Sequence, residues 1–307
     1  MITVLLPSPA LDVTYLVDRV EVGAIHRPRE VLRAPGGKGL NLARAAHRLG
    51  AAATVVAPLG GHIGALVASL AQKEGVTITA VDVAAETRSC VTVVSGDAHQ
   101  TGLTEFYEPA AGLDADEQGR IVEALRTSPP GEWTTLAGSV PVGLDLSLLV
   151  EALRSRVARG DRLAIDTHGA ALDTLIDELQ PALVKVNRHE AAALLGWDGD
   201  AAALAAAVRA RSGGTVVITD GSNGSVGIDE TGAWRARLDA PAGRYPVGSG
   251  DSYLAGLLVA LSGGAALPEA LAAASGAAAA NAQVPGAATF DSALARELTV
   301  RTTVTRA

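Results

Sequence analysis

Leu163-Ala164-Ile165-Asp166, Leu183-Val184-Lys185-Val186 and Thr215-Val216-Val217-Ile218-Thr219 are three short runs rich in branched residues, separated by Ala- and Leu-rich stretches long enough for helices. This alternation predicts a parallel sheet covered by helices, because parallel neighbours need a crossover and both sheet faces then stay dry. Each run ends in or just before polar residues: Asp166, then Asn187, then Asp220-Gly221. In an open α/β sheet that puts polar groups at the carboxyl ends of strands, where ligands bind, although the same residues would also serve simply to solvate strand ends. Met1 to Pro7 reads as a first strand, Thr54-Val55-Val56-Ala57 as another, and Ile63 to Lys73 as a helix. Two segments break the rhythm. Residues 12–34 and 86–108 alternate apolar and polar positions without a helical stripe, so both are expected as antiparallel strands. They would form a small sheet inserted as a lid into one main domain spanning 1–307.

Length and composition fit that reading. A chain of 307 residues, 48% of them apolar, can bury the core of one large α/β domain. The formal charge of −8 argues against a general nucleic-acid or anionic-membrane surface, leaving room for a local anion site. Cys90 is the single cysteine, so neither an internal disulfide nor a cysteine-held metal is available. His26, His47, His62, His99, His168 and His189 follow no metal-binding spacing, and only His168, just past Asp166, is expected near a ligand. Met1 to Pro7 lacks the basic start and long apolar centre of a signal peptide. The Ala-rich stretch 265–288 is interrupted by Pro268, Glu269, Asn281, Gln283 and Pro285, and reads as a tightly packed interior helix rather than a membrane span. A soluble cytoplasmic protein is the expectation.

Two glycine-rich loops lead into helical sequence. Gly248-Ser249-Gly250-Asp251 precedes an apolar run from Ser252 to Leu261. Glycines there allow a sharp turn that aims several N–H groups at one point, and the positive end of a helix dipole adds to the same point. A carboxylate at the rim of such an anion cup makes sense where it handles a proton while the cup receives a phosphoryl group. The same tetrapeptide also fits an ordinary tight turn. The second loop, Pro35-Gly36-Gly37-Lys38-Gly39-Leu40-Asn41, opens a helix that would stop at Gly50. It can cradle a polar ligand, or be a turn with a solvated lysine. Its glycine spacing is not that of a P-loop, no Gly-x-Gly-x-x-Gly follows the first strand, and no Gly-x-Ser-x-Gly elbow supports a hydrolase.

Taken in order, Ser8-Pro9-Ala10-Leu11-Asp12, Gly36 to Asn41, Glu86-Thr87-Arg88, Gly138-Ser139-Val140-Pro141, Lys185-Val186-Asn187-x-x-Glu190, Asp220 to Gly224 and Gly248 to Asp251 resemble the PfkB (ribokinase-like) family of carbohydrate kinases. The resemblance covers nearly the whole chain and is strongest to the branch that phosphorylates sugars already carrying a phosphate. It implies a three-layer αβα sandwich with a small β-sheet lid, using ATP and Mg²⁺. Asp251 would take the proton of the attacking hydroxyl, with the amides of Gly248, Ser249 and Gly250 facing the transferring group. Asp12, Gly37 and Asn41 would hold sugar hydroxyls, while Arg27, Lys38, Arg88 and Ser139 would meet the phosphate already present. On the nucleotide side, Asn187 and Glu190 would lie near Mg²⁺, Glu190 largely through water. Lys185, Thr219, Gly221 and Gly224 would line the phosphate and ribose path, and Asn281 would lie near the adenine.

Four positions depart from the family's pattern: Ser8, Val186, Asp220 and Ser249. Asp220 matters most, since a further negative charge near ATP phosphates is repulsive unless it faces away or meets a cation. The activity implied is phosphorylation of a phosphosugar, fructose 1-phosphate to fructose 1,6-bisphosphate being favoured. Tagatose-6-phosphate or 6-phosphofructokinase activity, a kinase of an unphosphorylated sugar or nucleoside, and a silent phosphosugar-binding protein are the alternatives. The lid edges need covering, which suggests a homodimer through the lid.

Overall fold

The computed structural model describes residues 1–96, 101–240 and 243–307. Residues 97–100 of the second inserted segment, with His99, therefore lie outside the described residues. The first part of the chain runs β1 (Ile2–Leu5), β2 (Ala10–Val17), β3 (Glu30–Gly36), α1 (Lys38–Arg48), β4 (Ala53–Leu59), α2 (Gly61–Lys73), β5 (Thr77–Asp82), β6 (Arg88–Gly96) and β7 (Thr101–Tyr107). The middle contributes α3 (Ala115–Thr127), β8 (Trp133–Ala137), α4 (Leu146–Ala158), β9 (Arg162–Asp166), α5 (Gly169–Leu179), β10 (Leu183–Asn187), α6 (Arg188–Leu195), α7 (Ala201–Ser212) and β11 (Thr215–Thr219). The last part is β12 (Ser225–Asp229), β13 (Gly232–Leu238), α8 (Ser249–Ser262), α9 (Leu267–Asn281), α10 (Ser292–Val300) and β14 (Thr302–Arg306).

Ten strands form the main sheet in the order β14-β13-β12-β11-β10-β9-β8-β1-β4-β5. From β11 to β5 every pairing is parallel, and β12, β13 and β14 extend it antiparallel. The strand sequences show how both faces are kept dry. Successive side chains of a strand point to opposite faces. Val4 and Leu6, Val55 and Ala57, and Val217 accordingly join one core cluster with Leu40 and Leu42 of α1 and Leu254 and Leu257 of α8. Leu5, Val56, Val216 and Ile218 join the other, with Leu125 of α3, Leu153 of α4 and Leu204 of α7. The result is the expected sandwich of helices, sheet and helices.

The branched runs at 163–166, 183–186 and 215–219 lie in β9, β10 and β11, side by side, with Asn187 in register with Thr219. Their polar ends therefore lie along one edge. The Ala-rich stretch forms α9, largely buried against α8, where a side chain at Gly256 would meet backbone of Ala273 and Ala274 at 3.0 Å. Among the described residues no helix is long and apolar enough to cross a membrane.

The two inserted segments form a separate four-stranded sheet, β3-β2-β6-β7. Each hairpin is antiparallel as expected, but β2 and β6 at the centre pair in parallel, Ala10 opposite Arg88 and Asp12 opposite Cys90. The sequence pattern reveals alternation but not direction. The direction follows from the main sheet, because β2 and β6 are fed by β1 and β5, which run the same way within it.

Candidate active site

Both glycine loops end in helices whose first residues face the same cleft. Gly37 caps α1 with φ 93°, and Gly248 caps α8 in the left-handed region with φ 81°; neither helix start has a side-chain cap. The first N–H groups of each helix thus lack intrahelical acceptors at the cleft wall. Gly248 has a second constraint, since a Cβ there would come within 2.6 Å of the Ala287 Cβ. Gly248→Ala is expected to lower stability by about 2 kcal/mol and reduce turnover as well, read by urea unfolding and ADP release on the same preparation.

The cleft, about 550 Å³, lies between the carboxyl ends of β9 to β11 and the inner face of the small sheet. Asp12, Gly37, Lys38, Asn41, Arg88, Ser139, Lys185, Asn187, Glu190, Thr219, Gly248, Gly250 and Asp251 all line it, as does His168. Asp251 is buried and accepts a hydrogen bond from Asn41 Nδ2 at 2.9 Å. Burial pushes its carboxyl pKa up and Asp166 adds to this, while Lys38, Lys185 and the Asn41 bond oppose it. A carboxyl so placed is a better proton acceptor than one in water.

Asp166, at the end of β9, is fully enclosed and bridges two ammonium groups. Lys38 Nζ reaches Oδ1 and Lys185 Nζ reaches Oδ2, each at 2.7 Å. Burial alone would raise the Asp166 pKa, but Lys185 and Lys38 overcome it and hold it at about 2. Burial likewise disfavours the Lys38 charge, yet Asp166, Glu190 and Asp251 keep it firmly protonated. Lys185 stands at the glycine cup: a Cβ at Gly250 would lie 3.2 Å from its Nζ. Two fixed cations beside unpaired amides make a preorganised anion site.

Asn187 and Glu190 occupy the start of α6 as a reciprocal capping box. The Asn187 side chain accepts from Glu190 N–H and the Glu190 carboxylate accepts from Asn187 N–H, both at 2.9 Å. Glu190 Oε1 remains turned toward Lys38 Nζ, 3.7 Å away. The spacing Asn-x-x-Glu is therefore a helix-capping pattern that also presents one carboxylate oxygen to the cleft.

A neighbouring cavity of about 350 Å³ shares Thr219 and Gly250 with the cleft. Gly221 and Gly224 line it on one side, and Ala278, Ala279 and Ala282 of α9 and its end on the other.

Three expectations need correction. Arg27 sits exposed in the β2–β3 connection and does not line the cleft. Asn281 is buried behind the glycine cup, where its amide nitrogen donates to Val247 O at 2.8 Å and Ser249 Oγ at 3.0 Å, and its oxygen accepts from Ala288 N–H. It braces the cup instead of lining the neighbouring cavity. The Ser249 N–H donates to Pro246 O at 3.0 Å, so among the three amides named for the transferring group it is already engaged. Asp220, by contrast, is no obstacle, because Arg188 Nε lies 3.3 Å from its carboxylate and it lines neither the cleft nor the cavity. The sequence marks Asp166 only as a polar strand end, without its two lysine partners, and it does not single out Arg44, which lies enclosed behind the cleft.

Against this geometry the comparisons with known proteins are specific. A profile of the pfkB family carbohydrate kinases matches residues 8–293. The chain belongs to the pfkB family of carbohydrate kinases. It is a phosphotransferase with a sugar hydroxyl as acceptor. The kinase is 33% identical over 265 residues to 1-phosphofructokinase of Xanthomonas campestris pv. campestris, covering 83% of this chain and 82% of that one. It is 29% identical over 270 residues to ATP-dependent 6-phosphofructokinase isozyme 2 of Escherichia coli, covering 85% and 86%. Among solved structures, phosphofructokinase-2 from Escherichia coli in complex with substrates and products superposes with a TM-score of 0.90 at 25% identity, over 97% of this chain and 98% of that one.

Proposed function

We propose that this kinase transfers the γ-phosphoryl group of Mg-ATP to a sugar that already carries a phosphate, fructose 1-phosphate being favoured and fructose 1,6-bisphosphate the product. The observation that carries the reading is Arg88. Its Nη1 donates to Glu108 O at 2.9 Å and its Nη2 approaches Ser8 O at 3.4 Å, while Nε is buried with no partner and the side chain lines the cleft that holds Asp251. A buried guanidinium N–H left unsatisfied is costly unless a ligand completes it, and a phosphate oxyanion fits best. The 33% identical relative named 1-phosphofructokinase supports the same assignment. The relative named ATP-dependent 6-phosphofructokinase isozyme 2 keeps fructose 6-phosphate as the second reading.

In this scheme the sugar lies between Asp12 and Asn41, with one hydroxyl on Asp251. Asp251 takes its proton, and the resulting oxygen attacks the γ-phosphorus in line as the bond to the bridging oxygen breaks and ADP leaves. Lys38, Lys185 and the amides of Gly248 and Gly250 stabilise charge on the transferring group. ATP would enter along Thr219, with its phosphates toward Gly250 and its base in the alanine-lined cavity. The protein offers one turned-in carboxylate oxygen at Glu190 and no cluster of three or more metal-ligating His, Cys, Asp or Glu among the described residues. That donor set fits Mg²⁺ held mostly by phosphates and water with Glu190 beside it, and the ion would supply charge neutralisation to the transferring phosphates. The small sheet acts as a lid that excludes water from the transfer, within one domain spanning 1–307. Its outer strands expose Val31 and Phe106, which a homodimer pairing lid to lid would cover.

ADP release measured across fructose 1-phosphate, fructose 6-phosphate, tagatose 6-phosphate, fructose and ribose tests the reading. Fructose 1-phosphate should give the highest kcat/KM; a preference for fructose or ribose would overturn the phosphosugar assignment. Arg88→Ala is expected to raise KM for the phosphosugar by roughly 10²-fold with a smaller change in kcat, and to leave KM for ATP near its starting value. Steady-state kinetics in both substrates separates these.

A further inference from the structure

Arg44 is charged, 2% exposed, and has no part in the scheme above. It stands one turn after Asn41 on α1, with its guanidinium enclosed behind the substrate loop. Each end of that group is occupied. Nη1 donates to Asn41 Oδ1 at 3.1 Å and to Ala287 O at 2.7 Å; Nη2 donates to Pro35 O; Nε donates to the Glu74 carboxylate. Pro35 immediately precedes Gly36-Gly37, and Ala287 is the residue against which Gly248 packs. One planar group thus ties the sugar loop, the amide beside the base and the wall behind the anion cup.

The contact with Asn41 has a chemical consequence. An asparagine amide can sit either way round, and its two ends differ only in donating or accepting. Arg44 has donors only, so it donates to the carbonyl end of Asn41 and turns the NH₂ end to Asp251 Oδ2. With the amide reversed, two donors would face each other at Arg44 and two acceptors at Asp251. We propose that Arg44 is a positioning residue for phosphoryl transfer, fixing the orientation of Asn41 so that Asp251 keeps one oxygen engaged and the other directed at the sugar hydroxyl. This rests on the kinase reading above.

The groups that face Asp251 are Lys38 and Asn41 from α1, Asp166 from β9, Lys185 from β10 and Asp12 from β2, with Arg44 and Glu74 behind them. The bond from Asn41 holds the Asp251 pKa down against burial. Losing it moves the acid limb of the rate profile to higher pH. Arg44→Lys retains one charge but not the planar fork that holds four acceptors.

The test is the pH dependence of kcat/KM, by ADP release, for the wild type, Arg44→Lys, Asn41→Ala, the double variant and Glu74→Gln. Arg44→Lys should lower kcat by about tenfold or more while changing KM for ATP by less than about threefold, and should raise the acid limb by about half a pH unit or more. Asn41→Ala should raise it in the same direction, and adding Arg44→Lys to Asn41→Ala should cost less than about threefold further, since both act through one contact. Glu74→Gln should leave the limb in place. An active Arg44→Lys with an unmoved acid limb, or fully additive losses, overturns the proposal. Should Arg44→Lys fail to fold by circular dichroism, an unmoved limb in Asn41→Ala overturns it alone. A wild type that releases no ADP with any sugar or sugar phosphate removes the kinase reading and this inference with it; an active wild type with unmoved variants removes the inference only.

Discussion

Asp251→Asn is expected to lower turnover by roughly 10²–10⁴-fold while the chain remains folded. The Asp251 carboxylate is satisfied on one side only: Oδ2 accepts from Asn41, and the other oxygen opens on the cleft. An amide in its place can still accept from Asn41 through its carbonyl oxygen, so the packing survives, but it cannot take a proton. Burial raises the carboxyl's pKa in the folded chain. A carboxyl with a raised folded pKa contributes stability below its unfolded pKa and loses it as pH rises through the folded value. The asparagine variant should therefore be at least as stable as the wild type at pH 8, measured by thermal unfolding beside the rate. Turnover within tenfold of the wild type would remove Asp251 as the base, and a lower unfolding midpoint would mean that the carboxylate is structural.

Asp12→Asn is expected to separate activity from stability in the same way, with a defined pH window. Asp12 lies on β2 against bare backbone; a Cβ at Gly36 would fall 2.1–2.5 Å from its carboxyl atoms. Its pKa is pushed up to about 7, first by burial and further by Asp251, with Arg44, Arg88 and the Gly37 N–H opposing. Because the folded value lies above the unfolded one, the folded chain binds this proton more tightly between about pH 4 and 7. The associated stability is present below about pH 4 and is lost as pH rises through 7. The asparagine variant should then be more stable than the wild type at pH 8, by an upper bound on the order of 4 kcal/mol, with the gap closing toward pH 4. Sugar binding should move oppositely: replacing a carboxylate that accepts from hydroxyls should raise KM for the sugar roughly 10- to 100-fold at pH 8. Unfolding midpoints from pH 4 to 8.5 and KM at pH 8 check both halves. A stability gap independent of pH would show that Asp12 does not titrate as its surroundings dictate.

These two carboxyls also show how far the sequence could be read. Asp251 and Asp12 stand in motifs whose glycines announce a turn at fixed positions, and the structure brings both into one cleft. Lys38, Asn41, Arg88, Ser139, Lys185, Asn187, Glu190 and Thr219 join them there because each belongs to a short local pattern at a strand end or helix start. Arg27 looked equally suited to a phosphate, but it lies on a long connection whose course no local pattern fixes. Asn281 lay on a correctly expected helix, yet the side of that helix toward which its amide turns depends on how α9 packs against the glycine cup. Arg44 was invisible for a related reason. In sequence it is one more arginine on an amphipathic helix, and such residues are mostly solvated.

By itself the sequence determined the alternation of strands and helices and the two glycine-led helix starts, because these arise from contacts within a few residues and from the two-residue and 3.6-residue periods of side-chain direction. Tertiary structure alone decided that β2 and β6 run parallel, that Asp166 clamps Lys38 to Lys185, and that Arg44 orients Asn41 toward Asp251. The last three residues are separated from one another by up to 210 positions, Asn41 from Asp251. Charge, burial and amide orientation are set there by groups the chain brings together only when the sheet closes, and no local rule carries that information.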